Sequence, residues 1–346
     1  MSLTSHCRSK RAVCCTKRTV RIATGAKLFI AIDFCILLCS PSTHLGCCAA
    51  VLAKIRSVLA SPHRLLYSAR AWGSRDSLDR RYRHLAEKAG FRKLFFVLSF
   101  DCDTREDADA ALQVHERLKA LGVPAVYAVP GVLLAKSADT YRRIADAGGE
   151  FINHGFHDHT YFDSALDRYA SQFFYDQMPL EAVRGDIVEG DRILRGALGI
   201  TPKGFRAPHF GTFQKPAQLR FQHAVLKELG YTFSTSTLPL YGYRFGPAFR
   251  EFGLLELPVS GMGSMPLRIL DSWTCFAAPA RRFSPDDYAR EGRLAGDSLR
   301  SIGIGLLNFY ADPSHIVDRP EFFETVAYWA RLARPVTYAQ LLSQIA

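Results

Sequence analysis

From Lys93 onward the chain alternates continuous apolar runs of strand length with segments whose apolar residues recur at helical spacing. Leu94–Phe100 (LFFVLSF) has no polar alternation over most of its length, the pattern of a strand covered on both faces. Ala110, Val114, Leu118 and Leu121 then mark a helix over 106–121 that stops at Gly122. The same reading predicts strands at 124–129, 151–152, 204–206, 231–234, 254–259 and 305–310. It predicts helices at 137–147, 180–198, 216–229, 320–332 and 338–345. Strand and helix succeed each other through short connections, so the expected class is α/β with a mainly parallel sheet or barrel. In such folds ligands gather at the carboxyl ends of the strands.

The N-terminal stretch does not conform. Residues 1–75 hold twelve of the 44 Lys and Arg but only one of the 33 acids, Asp33. The rest of the chain then carries 32 residues of each sign, and the net charge of +11 belongs to the leader alone. The main domain therefore lacks the electrostatic footprint of a nucleic-acid binder, and no nucleic-acid partner is expected. Seven of the nine cysteines also lie before residue 50, without paired CxxC spacing. A basic segment, the short apolar run 28–38 and small residues imitate a signal peptide, but the run carries Asp33 and is too short to span a bilayer. Residues 1–50 are read as a basic, Cys-rich leader: disordered, a weak anchor, or an extension outside any fold. Residues 51–90 are read as a helical lead-in, with helices at 55–71 and 77–89, and 91–346 as the catalytic domain. A cytoplasmic location is expected, with membrane association through the leader as the weaker alternative.

Three segments at predicted strand ends carry the chemistry. Asp101 and Asp103 stand two apart on extended backbone, so their carboxylates point to one side and can share a site, one binding a cation and the other free as a base. Asn153–Thr160 (NHGFHDHT) places three of the chain's 11 histidines within six residues at another strand end. Imidazoles beside carboxylates are a ligand set for zinc or a similar divalent ion. At a third strand end, Arg206 leaves into the Pro- and Gly-shaped Ala207-Pro208-His209-Phe210-Gly211, a place from which a guanidinium can hold a carboxylate. Trp273, Trp329 and the many phenylalanines are read as core. Neither a phosphate-binding loop nor a Gly-x-Ser-x-Gly elbow is present.

Together these segments resemble the polysaccharide deacetylase family, the NodB-homology carbohydrate esterases. The motifs are Ser99-Phe100-Asp101-Cys102-Asp103, Glu150-Phe151-Ile152-Asn153-His154 with its histidine turn, and Arg206-Ala207-Pro208-His209-Phe210-Gly211. The resemblance spans about residues 91–346 and implies a distorted (β/α) barrel of about seven strands. It implies a metal-dependent hydrolase that removes an N-acetyl group from an amino sugar in a glycan or glycan precursor, with a carbohydrate as its partner. By this resemblance Asp101 is the base, Arg206 orients it, and Asp103 and His154 bind a divalent ion, expected to be Zn2+. The family's second histidine ligand falls four residues after the first, where this chain has Asp158. His159 is the preferred third ligand, with His157 and Asp158 as alternatives. His209, in place of the family's Tyr, and Phe210 are assigned to the oxyanion and substrate. His315 is the general acid, with Asp312 as the alternative. Rival readings are a deformylase or small-amide hydrolase on the same scaffold, or a degenerate member that binds glycan without turnover.

Overall fold

The computed structural model describes residues 66–67, 74–277 and 283–345; the leader 1–50 and the lead-in up to residue 65 lie outside them. Among the described residues no helix is long and apolar enough to cross a membrane. Eight strands form one parallel sheet: β1 (Leu94–Asp101), β2 (Ala125–Val129), β3 (Glu150–Asn153), β6 (Gly204–Phe205), β7 (Phe233–Ser234), β8 (Leu255–Glu256), β9 (Gly305–Ala311) and the two-residue β10 (Arg334–Pro335). The order is β10-β1-β2-β3-β6-β7-β8, and β9 runs along β1 from Leu94↔Gly305 to Phe100↔Ala311. Beyond β8 the chain turns back onto β9. The Ser260 N–H donates to the Asn308 carbonyl at 2.7 Å, and the Asn308 amide donates to Leu257 O and Pro258 O at 3.0 Å each. These bonds close the sheet into the expected distorted barrel.

Helices cover the outside: α1 (Arg75–Lys88), α2 (Arg105–Ala120), α3 (Gly131–Lys136), α4 (Ala138–Asp146), α5 (Leu180–Leu198), α6 (Pro216–Glu228), α7 (Pro239–Phe245), α8 (Pro285–Ile302), α9 (Pro313–Ile316), α10 (Pro320–Leu332) and α11 (Tyr338–Ile345). Side chains alternate across β1 with period two. Phe96, Leu98 and Phe100 face outward, and Phe96 meets the Trp329 ring of α10 at 5.3 Å while Phe100 stacks on Tyr127 at 5.5 Å. Ser99 and Asp101 therefore face the barrel interior. On β9, Phe309 stacks on Trp329 at 4.4 Å, which turns Asn308 and Tyr310 inward.

Every strand and helix predicted from Leu94 onward has a counterpart within a few residues. Besides the short α3, α7, α9 and β10, two larger elements were not foreseen. An antiparallel hairpin, β4 (Thr160–Asp163) with β5 (Arg168–Ser171), lies off the main sheet directly after the histidine turn. The other is α8, whose signals stand in the sequence: a Ser284/Asp287 capping box, Pro285 in the first turn and Gly303 in the left-handed conformation at the end.

The end of β3 is fixed by a close approach. Gly190 of α5 is so near the turn that an added Cβ would lie 2.5 Å from both the Asn153 side-chain oxygen and the Gly155 carbonyl. Gly190→Ala is expected to cost about 1–3 kcal/mol through overpacking. Urea unfolding should show this as a lower midpoint with unchanged slope, whereas an unaltered midpoint would mean that the turn gives way freely.

Candidate functional site

The parallel strands end at one rim of the barrel, and the candidate residues follow them there. Asp101 is the last residue of β1 and Arg206 the first after β6. The Arg206 guanidinium is fully buried. It donates from Nη1 to Asp101 Oδ1 at 2.6 Å, and from Nη2 to Ser99 Oγ at 2.8 Å and Tyr338 Oη at 2.9 Å. Tyr338 enters from α11 and passes its own proton to Asn308 Oδ1 at 2.7 Å. Phe210 and Tyr310 flank the guanidinium with ring centroids 5.4 and 5.3 Å away. The one carboxylate beside this buried cation is thus held by a charge-assisted bond on one oxygen.

Asp103, one residue beyond Cys102, meets two imidazoles. Its Oδ1 lies 3.5 Å from His154 Nε2 and 3.2 Å from His159 Nδ1, and one donor atom from each of the three residues falls within 4.8 Å of the others. His154 Nδ1 is 2.8 Å from the Arg206 carbonyl, which can only accept, so that nitrogen carries the proton and Nε2 presents its lone pair toward Asp103. His159 Nε2 is buried and has no hydrogen-bond partner among the described residues. Burial lowers both imidazoles, His159 to about 3 with help from nearby His209, so both are neutral. Burial pushes Asp103 the other way, upward, against the pull of His154. Two neutral imidazoles, a carboxylate and an orphaned ring nitrogen fit a divalent ion of borderline softness such as Zn2+.

The other two residues of the turn point elsewhere. His157 is bound to the buried Asp186 of α5, with Nδ1 to Oδ1 at 2.6 Å and its backbone N–H donating at 3.0 Å, and its ring stacks on Phe173 at 4.3 Å. Asp158 faces Lys136 at 3.7 Å. Neither joins the Asp103 cluster. Gly155, at φ 82°, allows this turn, since a Cβ there would lie 2.3 Å from Asp186 Oδ2.

His209 also has positive φ, 55°, and Nε2 lies 2.6 Å from the Gln172 carbonyl at the foot of the hairpin. Its ring lies 5.8 Å from that of His159. Across the rim, Asp312 and His315 follow β9. His315 Nδ1 is 3.0 Å from Asp312 Oδ2, which also accepts from Ser272 Oγ at 2.5 Å. Burial opposes a charge on His315, but the Asp312 carboxylate outweighs it and raises the imidazole. Burial also pushes the Asp271 carboxyl up, to about 6. Trp273, read from the sequence as core, is only partly buried, with its ring 5.9 Å from that of His315; Trp329 is fully buried as expected.

Sequence reasoning missed Ser272, Tyr338, Thr104 and Asp107. The last two carried a visible signal, a Thr-x-x-Asp capping pattern directly after Asp103.

The polysaccharide deacetylase family model matches residues 88–234, a span that includes Asp101, Asp103, the histidine turn and Arg206. The fold is shared with a Mycobacterium smegmatis protein assigned as a polysaccharide deacetylase, at TM-score 0.52 and 18% identity over 73% of this chain and 91% of that one. A family 4 carbohydrate esterase from Streptomyces lividans in complex with acetate also aligns, at TM-score 0.41 and 16% identity over 70% and 97% of the two chains. So does a CE4-family pseudoenzyme from Bacillus anthracis, at TM-score 0.43 and 13% identity over 73% and 66%. Among curated proteins, sequence comparison finds no match. The matched span contains the motifs that carry the resemblance and the barrel is shared, so residues 88–234 of this chain are similar to the polysaccharide deacetylase family.

Proposed function

We propose that this protein is a divalent-metal-dependent amide hydrolase that removes the N-acetyl group from an amino sugar within a glycan. The observation that carries this reading is the meeting of Asp103, His154 and His159 at the rim where the Arg206-held Asp101 also ends. A divalent ion held by Asp103, His154 and His159 would supply Lewis acidity toward the acyl carbonyl. Asp101 is the base: its carboxylate takes a proton from water as the water oxygen bonds to the acyl carbon. Arg206 keeps that carboxylate oriented. His315, charged and steadied by Asp312, gives a proton to the amine nitrogen as the carbon–nitrogen bond breaks. Ring stacking at His209 and the Phe210–Tyr310 pair, 4.7 Å between centroids, shape the wall between the two halves of the rim.

The hairpin favours a polymeric substrate. Tyr161 (46% exposed) and Phe162 (52%) are the large aromatics left open on the described surface, and they stand on the strand that leaves His159. Open aromatic faces beside a polar site suit stacking against the apolar faces of sugar rings.

Metal analysis of the purified full chain is expected to give one ion per molecule, lost in Asp103→Ala and His154→Ala. Full retention by both variants would remove the proposed site. Asp101→Asn is expected to keep the metal while acetate release from N-acetylglucosamine oligomers falls at least about a hundredfold; undiminished release would dismiss Asp101 as base. Phe162→Ala together with Tyr161→Ala should raise KM several-fold for a hexamer and leave it unchanged for a dimer, and equal KM values for the hexamer in wild type and variant would exclude the hairpin from binding.

A further inference from the structure

The Asp107 carboxylate, in the first turn of α2, is 1% exposed and accepts five hydrogen bonds from two separate turns. Its Oδ2 takes the Asp103 N–H at 3.1 Å, the Thr104 N–H at 3.0 Å and the Thr104 hydroxyl at 2.7 Å. Its Oδ1 takes the Ser314 N–H at 3.0 Å and the Ser314 hydroxyl at 2.6 Å. The first turn carries the candidate ligand Asp103, and the second carries the candidate acid His315. A carboxylate offers about four lone-pair directions, so this one is saturated.

Helix capping alone does not require this arrangement. The capping box of α8 has the same Ser/Thr-x-x-Asp form: Asp287 accepts from Ser284 N and Oγ and spends its other oxygen on the exposed Arg290 at the surface. In α2 the second oxygen reaches across more than 200 residues of chain to Ser314. The two turns are also joined lower down, where Arg117 donates to the Val317 carbonyl and lies 3.6 Å over the Phe323 ring. Loss of Asp107 would therefore free the two rim turns from each other while α2 and the segment after β9 stay docked.

We infer that Asp107 is a positioning residue that locks the metal-ligand turn to the acid turn, one carboxylate oxygen serving each. This rests on the proposed function for the roles of Asp103 and His315. The two oxygens predict separable effects. Alanine removes both arms. Asparagine turns its one oxygen toward the three donors at Asp103 and Thr104, which sets its NH2 against the Ser314 N–H and leaves the second arm at most one reversed bond, from the NH2 to the Ser314 hydroxyl.

The test measures Zn2+ affinity by calorimetry and acetate release from an N-acetylglucosamine hexamer, on full-length protein. Asp107→Ala is expected to weaken Zn2+ binding roughly tenfold to a hundredfold, the usual loss when a group supporting a metal ligand is removed, and to lower kcat. Asp107→Asn and Ser314→Ala should keep Zn2+ affinity within about twofold of wild type, the metal arm being intact, while kcat falls and KM holds. Asp287→Ala, which loses only a cap, should lower the melting temperature and change neither quantity. A folded Asp107→Ala with wild-type Zn2+ affinity overturns the lock and leaves the proposed function standing. If that variant does not fold, wild-type kcat in both Asp107→Asn and Ser314→Ala overturns it instead. No Zn2+ binding by the wild type overturns both readings.

Discussion

A guanidinium cannot be placed inside a barrel without a counter-charge and a partner for each of its donors, and Arg206 obtains these from three parts of the fold, with a fourth behind them. Asp101 and Ser99 come from β1, Thr235 from the end of β7, and Tyr338 from α11, with Asn308 of β9 behind Tyr338. Removing one member of such a buried pair leaves the other uncompensated, typically at about 3–5 kcal/mol. The network is also the place where the barrel closes, because Asn308 binds Leu257 and Pro258 with the amide it turns toward Thr235. Closure of the fold and orientation of the Asp101 carboxylate thus rest on the same set of bonds. The Arg206 carbonyl adds a further link by fixing the tautomer of His154.

This dependence explains how much could be read in the chain. Asp101, Asp103, His154 and Arg206 each stand within three residues of the end of an apolar run, and a parallel barrel delivers all strand ends to one rim. Their meeting therefore follows from local pattern and topology. Ser99 was visible in the same way, two residues before Asp101 on the same face of β1. Tyr338 was not: it lies in the first turn of a helix after the last strand, and nothing local says that its hydroxyl reaches 2.9 Å from Arg206.

The histidine turn shows the limit more sharply. His157, Asp158 and His159 are alike in sequence terms, and any of them could follow His154 into a ligand set. What separates them is Asp186, 29 residues further on in α5, which draws the His157 side chain and backbone to itself. Tyr175 occupies the other oxygen of that carboxylate at 2.5 Å. With His157 held outward, the chain returns through Thr160, whose hydroxyl binds the Asp103 carbonyl at 3.0 Å, and His159 is carried inward. The selection is made by a long-range hydrogen bond and a glycine turn, neither of which leaves a periodic trace. The hairpin escaped for a related reason, since four-residue strands mixing Tyr and Phe with Asp and Arg carry little alternation.

The rim finally treats its histidines in two opposite ways, and the difference follows from where the carboxylates lie. His154 and His159 are fully enclosed, so desolvation prevails over the nearby carboxylates, Asp101 and Asp103 at His154, Asp186 and Asp101 at His159, and both are neutral, as lone-pair donors must be. His315 has Asp312 to itself, with Ser272 bridging the pair, so the carboxylate prevails over desolvation and the ring holds its proton above the ordinary range. One barrel mouth thus holds two imidazoles suited to donate electron pairs on one side and one suited to donate a proton on the other. Environments that push like groups apart are what acid–base division of labour requires. Here the push comes from which force prevails at each ring, burial at His154 and His159 and the directly bonded Asp312 at His315.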